Sequence, residues 1–196
     1  MKKGIYNIYL FRHGQTYYNK NHIFTGWKDS KLTPLGIKQA KTVARKIKNK
    51  KIDVVFQTDL SRSKDTLKEV LKFHPEVKEI ITANRMIERS YGNLEGISHE
   101  KTIKKYGKKQ FEIWHRSYNI PPPKGESFAM VEKRVNIFIK NLIKFIQKEK
   151  VNVAISAHGN SIRLFRKIWE KKTKEEAIKW NIPYDKVFTY KIEVKL

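Results

Sequence analysis

The stretch Ile5-Tyr6-Asn7-Ile8-Tyr9-Leu10-Phe11-Arg12-His13-Gly14 runs from a β-branched and aromatic segment straight into Arg-His-Gly. That composition favours a strand over Ile5–Phe11, which puts Arg12 and His13 at its carboxyl end. A second stretch far along the chain, Val151-Asn152-Val153-Ala154-Ile155-Ser156-Ala157-His158-Gly159-Asn160, has the same design. Its apolar run predicts a buried strand over Val151–Ser156, and Ser161–Trp169 reads as a helix. Two histidines delivered at two strand ends, each followed by Gly, match the way open α/β sheets place ligands beyond the carboxyl ends of their strands.

The rest of the pattern alternates in the same sense. After a polar and aromatic loop over Asn19–Lys31, Thr33-Pro34 starts a helix, with Thr as N-cap and Pro at the first position. Ile37, Ala40, Val43, Ala44 and Ile47 form its predicted apolar face. Asp53–Gln57 is a strand, Ser61 caps a helix with Leu67, Val70 and Leu71 inward, and Val77–Thr82 is a third strand. Ser127–Gln147 carries Phe128, Val131, Val135, Phe138, Leu142 and Phe145 at helical spacing. Thr173-Lys174-Glu175-Glu176 is a capping box, and Phe188–Val194 is a last strand. Strands separated by helices predict a three-layer α/β/α fold with a mostly parallel central sheet. Residues 1–196 read as one domain. Its 85–125 region is irregular, with short helices near Glu100–Tyr106 and Lys109–Arg116, and Pro121-Pro122-Pro123 closes it as a rigid extended connector.

Composition narrows the function classes. The chain has 196 residues and no cysteine, which excludes disulfides, a thiol nucleophile and cysteine-based zinc sites. Met1-Lys2-Lys3-Gly4 is basic, but the apolar run behind it is short and Arg12 follows at once, so a first strand is expected in place of a signal peptide. No segment approaches the ~18 apolar residues of a membrane span, and a soluble, cytoplasmic protein is expected. The formal charge is +24, from 43 Lys+Arg against 19 Asp+Glu, but only nine of the 43 are Arg and the lysines are spread along the chain. That reads as a solvated surface whose field draws small anions, not as a nucleic-acid face.

A histidine nucleophile forms a phosphoramidate labile enough to pass a phosphoryl group onward. The transferring group needs guanidinium forks and backbone donors around its oxygens, and an acid for the leaving alkoxide. Arg12 and Arg62 can supply the forks, Gly14 and Gly159 a close backbone approach to the phosphate, and Glu88 the acid. His22 and His74 have no local support and are expected in solvent. Trp27 and Trp114 are expected to be packing residues, and His99 and His115 can be either pocket or surface.

The ordered set Leu10–Thr16 (LFRHGQT), Asn19, Phe24-Thr25-Gly26-Trp27, Leu32–Ala40, Ile87–Gly96, Trp114–Pro123, Gly125-Glu126-Ser127 and Ala157–Arg163 resembles the cofactor-dependent phosphoglycerate mutases of the histidine phosphatase superfamily. The resemblance implies His13 as the phosphorylated nucleophile. It implies Arg12, Asn19, Arg62, His158 and the Gly159 backbone as phosphoryl binders, and Glu88 as acid and base. It further implies Thr25 and Gly26 as substrate contacts, with Arg89, Tyr91, Arg116 and Asn160 lining the pocket. Implied too are a small phosphorylated substrate, 2,3-bisphosphoglycerate as primer, no metal, and a monomer or dimer acting in glycolysis and gluconeogenesis. The chain departs from the family where His99 stands in place of a Lys (with Lys101 nearby) and His115 in place of an Arg. Tyr184-Asp185 also replaces Thr-Gly, and the chain ends at Leu196 without the family's tail. These departures make the alternative a phosphatase of the same superfamily acting on phosphate monoesters.

Overall fold

Strand β1 (Lys3–Arg12) forms where the Ile-Tyr-Leu-Phe run demands it, and its alternation sorts its side chains to two buried faces. Ile8 and Leu10 point into one apolar cluster, and Tyr9 and Phe11 into another. In the computed structural model, which describes residues 3–195, β1 lies inside a five-stranded sheet of order β3-β2-β4-β1-β5. The other strands are β2 (Val54–Gln57), β3 (Glu79–Thr82), β4 (Val153–Ala157) and β5 (Val187–Lys195). All pairings are parallel except β1 with β5. Met1, Lys2 and Leu196, which the sequence reading placed in the N-terminal segment and the single domain, lie outside the described residues.

Helices cover both faces, as expected. α2 (Pro34–Ile47) and α3 (Ser61–Leu71) pack Val43, Ala44, Ile47, Leu67 and Val70 against Tyr9, Phe11, Val55 and Ala154. α6 (Phe128–Glu149) and α7 (Gly159–Trp169) close the other face with Phe128, Val131, Val135, Leu142, Ile162 and Phe165. Short helices α1 (Tyr17–Lys20), α4 (His99–Tyr106), α5 (Lys108–Arg116) and α8 (Lys174–Lys179) complete the set. Among the described residues no helix is long and apolar enough to cross a membrane.

Caps decide several boundaries. The Oγ1 of Thr33 accepts the Gly36 N–H at 3.0 Å, and Thr173 and Glu176 form the expected box. Ser61 does not cap α3. Leu60 occupies the N-cap without a side-chain bond, and the carboxylate of Asp29, from the loop after α1, accepts the Ser61 N–H at 3.1 Å instead. Ile37 is 41% exposed; Gly36 takes the inward place, because α2 crosses the loop after β1 at backbone distance. The Pro121–Pro123 segment ends in a turn, not an extended connector: the Gly125 N–H donates to the Pro122 carbonyl, with Lys124 at φ 58°. Leu71 is only partly buried.

Candidate active site

Strand register brings the two histidines together. Arg12 pairs with Ala157, the His13 N–H donates to the Ala157 carbonyl at 3.0 Å, and His158 follows directly after β4 as the N-cap of α7. The rings lie 5.0 Å apart, both buried. His13 Nδ1 sits 2.7 Å from the Gly14 carbonyl oxygen. A carbonyl only accepts, so Nδ1 carries the proton, and the Nε2 lone pair is free. Burial, then Arg62 and Arg12, hold this imidazole well below its usual 6.5, so it is neutral. His158 is neutral for the same first reason, with Arg62 next. Its Nε2 is 2.8 Å from the Thr58 hydroxyl, and its buried Nδ1 has no protein partner.

The tip of α3 is laced to these strand ends. Thr66 Oγ1 accepts the Gly14 N–H and donates to the Arg62 carbonyl, while Ser63 and Ser156 exchange hydroxyl-to-carbonyl bonds of 2.8 and 2.9 Å. Gly14 is required by this packing: a Cβ there would collide with the Gly36 carbonyl. A Cβ on Gly159 would meet the Arg12 guanidinium at 3.3 Å. Arg12 donates to the Ile182 carbonyl and covers the Tyr184 ring at 3.9 Å. Arg62 is 1% exposed and donates to the carbonyls of Gly26 and Lys28, with Asp29 3.6 Å away; burial lowers it to about 10. Each guanidinium keeps a buried Nε without a partner.

Glu88 supplies the one carboxylate among the described residues that line the cavity. Its Oε1 accepts the Arg89 N–H at 2.8 Å and the Asn160 N–H at 3.1 Å. Its backbone is gripped from outside: Trp27 Nε1 and Arg134 Nη2 both donate to the Glu88 carbonyl, and Arg134 pairs with Glu126 at 2.9 Å. The cavity, about 200 Å³, is also lined by Asn19, Thr25, Gly26, Tyr91, His99, His115, Arg116, Gly159, Asn160 and Arg163. A small cluster of Phe24, Tyr91, Leu94 and Phe111 backs the wall that α4 and α5 build.

A family model described as histidine phosphatase superfamily (branch 1) matches residues 8–195. The chain belongs to that superfamily. Its relatives include a 2,3-bisphosphoglycerate-dependent phosphoglycerate mutase of Parvibaculum lavamentivorans, 37% identical over 192 residues, spanning 96% of this chain and 91% of that protein. A phosphoglycerate mutase of Schizosaccharomyces pombe is 38% identical over 177 residues, 88% of this chain and 83% of that one. The fold is also that of an alpha-ribazole phosphatase from Shigella flexneri, with TM-score 0.82 at 21% identity over 93% of this chain and 89% of that one. A phosphoglycerate mutase from Bacillus anthracis superposes with TM-score 0.76 at 20% identity, covering 97% and 89%.

Within this histidine phosphatase scaffold, every residue expected at the site is in or beside the cavity, with one displacement. Arg89 is fully buried behind the wall, donating to the Trp114 carbonyl and stacked on Tyr91 and Phe128, so it braces the pocket and does not line it. His22 is exposed, as expected, though at the cavity rim, whereas His74 is buried against Glu76, its Nδ1 2.9 Å from the carboxylate. Trp27 is 51% exposed and fixes Glu88 through its N–H, a contact the packing reading missed. Thr58, Asp29 and Arg134 were also missed, because each acts through a neighbour and has no motif of its own.

His13, Glu88 and His158 each place one potential metal-ligand atom within 4.8 Å of the others. Two guanidiniums act on the same space. That donor set fits a phosphate group better than a cation.

Proposed function

We propose that the protein is a 2,3-bisphosphoglycerate-dependent phosphoglycerate mutase, interconverting 3-phosphoglycerate and 2-phosphoglycerate through a phosphohistidine at His13. One observation carries the reading: a neutral imidazole whose Nε2 lone pair is free, set beside the buried guanidinium of Arg62, the half-buried one of Arg12 and a second histidine. The guanidiniums of Arg12 and Arg62, which line the cavity beside His13, fit the oxygens of a phosphoryl group. The bisphosphate, when bound, supplies the phosphoryl group that loads His13.

In the forward step His13 holds the phosphoryl group, and the substrate hydroxyl attacks phosphorus as Glu88 takes its proton. The P–O bond forms, the N–P bond breaks, and His13 regains its lone pair. In the return step Nε2 attacks the other phosphate, and Glu88 returns the proton to the leaving alkoxide. Arg12, Arg62 and His158 carry the charge that develops on the equatorial oxygens. Asn19 and the Gly159 backbone complete that cradle, while Thr25, Gly26, Tyr91, Arg116 and Asn160 hold the glycerate. Relatives named as mutases, at 36–38% identity over most of the chain, support this substrate.

The same reading takes residues 1–196 as one domain with 85–125 as a substrate cap. It takes the chemistry as metal-free, the protein as cytoplasmic and a monomer or dimer, and the lysine-rich surface as solvated and not bound to nucleic acid. Hydrolysis of phosphate monoesters is the second reading, favoured by the neutral imidazoles His99 and His115 in the cavity wall. Mass spectrometry after incubation with the bisphosphate and a chelator tests the first. Acid-labile phosphate on His13, absent from His13→Ala along with all turnover, is expected; label on another residue, or a requirement for added metal, overturns it.

A further inference from the structure

Helices α4 and α5 present a group of imidazoles to the cavity. The His99 and His115 rings lie 5.2 Å apart, and His22 lies 6.1 Å from His99. Phe24 packs 4.4 Å from His99 and 5.7 Å from His115, and all three histidines line the cavity. The ring hydrogen bonds of the described histidines belong to His13, His74 and His158, so the nitrogens of His22, His99 and His115 stay available to a ligand.

The charges facing this wall are mostly positive. Arg116 comes from α5, Arg89 from the loop that carries Glu88, and Arg163 from α7; Glu88 is the one carboxylate among the described cavity-lining residues. Burial first, then His22 and Arg116, lowers His99 to about 4. Burial, Arg116, His99, Arg89 and Arg163 lower His115 to about 3. In the free protein near pH 7 both rings are neutral.

We propose that His99 is a proton-coupled receptor for the second anionic group of the substrate, its neutral imidazole taking one proton from solvent as that group enters. The inference rests on the reading of the substrate as a phosphate ester with a second anionic group. An anion set against neutral, partly buried imidazoles raises their basicity, as any opposite charge at close range does. His99 responds first because fewer guanidiniums face it and it is less buried than His115. At 5.2 Å a protonated His99 keeps His115 neutral, which limits the uptake to one proton. Binding that takes up a proton strengthens as pH falls, by at most about tenfold per pH unit.

Calorimetric titrations at pH 6 in buffers of different ionisation heat count the protons. The unphosphorylated protein is titrated with 3-phosphoglycerate and with glycerol 3-phosphate, which has the phosphate but no carboxylate. Close to one additional proton is expected with 3-phosphoglycerate, and none in His99→Lys, whose charge is permanent. Should that variant fail to fold, nitrogen NMR of the wild-type His99 ring gives the same readout, moving to its protonated position with 3-phosphoglycerate and not with the glycerol ester. Equal uptake from the two esters, or a ring that stays neutral in the complex, overturns the proposal. Isomerisation and phosphate release are followed separately. Proton uptake by a protein that only hydrolyses the ester overturns the mutase reading and supports the His99 assignment.

Discussion

His13 is prepared by its surroundings more than by its own chemistry. The Gly14 carbonyl fixes the tautomer, and burial with two guanidiniums keeps the ring unprotonated. Only the neutral form attacks phosphorus, and a lowered pKa moves its loss toward acid. The rate of phosphohistidine formation is therefore expected to show no His13 limb near pH 6.5; a fall by half at that pH, in rapid-quench measurements, would contradict the assignment. That His13, His158, Arg12 and Arg62 come together at one place was legible in the sequence, because strand ends and Arg-His-Gly steps carry direct signals. Thr58, Asp29 and Trp27 were not, since the sequence does not show which hydroxyl meets His158, which acid meets the tip of α3, or which indole meets a carbonyl.

At the scale of elements, β1, β4, α2 and α6 were legible because period and caps agree there. The exceptions have local causes. Ser61 was displaced as a cap by a carboxylate arriving from thirty-odd residues upstream. Ile37 faces outward because the crossing of α2 over the loop after β1 reserves the inward place for Gly36. That crossing gives a prediction with an inverted sign. Gly→Ala inside a helix ordinarily stabilises by about 1 kcal/mol. Gly36→Ala would drive its Cβ into the Gln15 carbonyl, beside His13 and Gly14, and is expected to destabilise in urea unfolding and to lower activity. A stabilised, fully active variant would mean that the two backbones are not held in contact.

For the whole molecule, the buried neutral histidines link stability to pH. His13 and His158 have folded-state pKa values well below 6.5, so below that pH the unfolded chain binds more protons than the folded one. Stability is present in full above about pH 6.5 and falls as pH drops, by about 1.4 kcal/mol per pH unit for each of the two. Urea midpoints measured at pH 7 and pH 5 are expected to show a clear loss at pH 5, and equal midpoints would mean these rings are not buried and neutral.

The sheet order and the joining of two distant His-Gly steps at one level are the features on which the whole site depends. The central claim is that phosphoryl transfer at His13 ends on a second hydroxyl and not on water. It is tested most directly by incubating the protein with 3-phosphoglycerate and a trace of 2,3-bisphosphoglycerate, recording 2-phosphoglycerate and free phosphate together. Rapid formation of 2-phosphoglycerate with little phosphate is the predicted result, and phosphate release without isomerisation would contradict it.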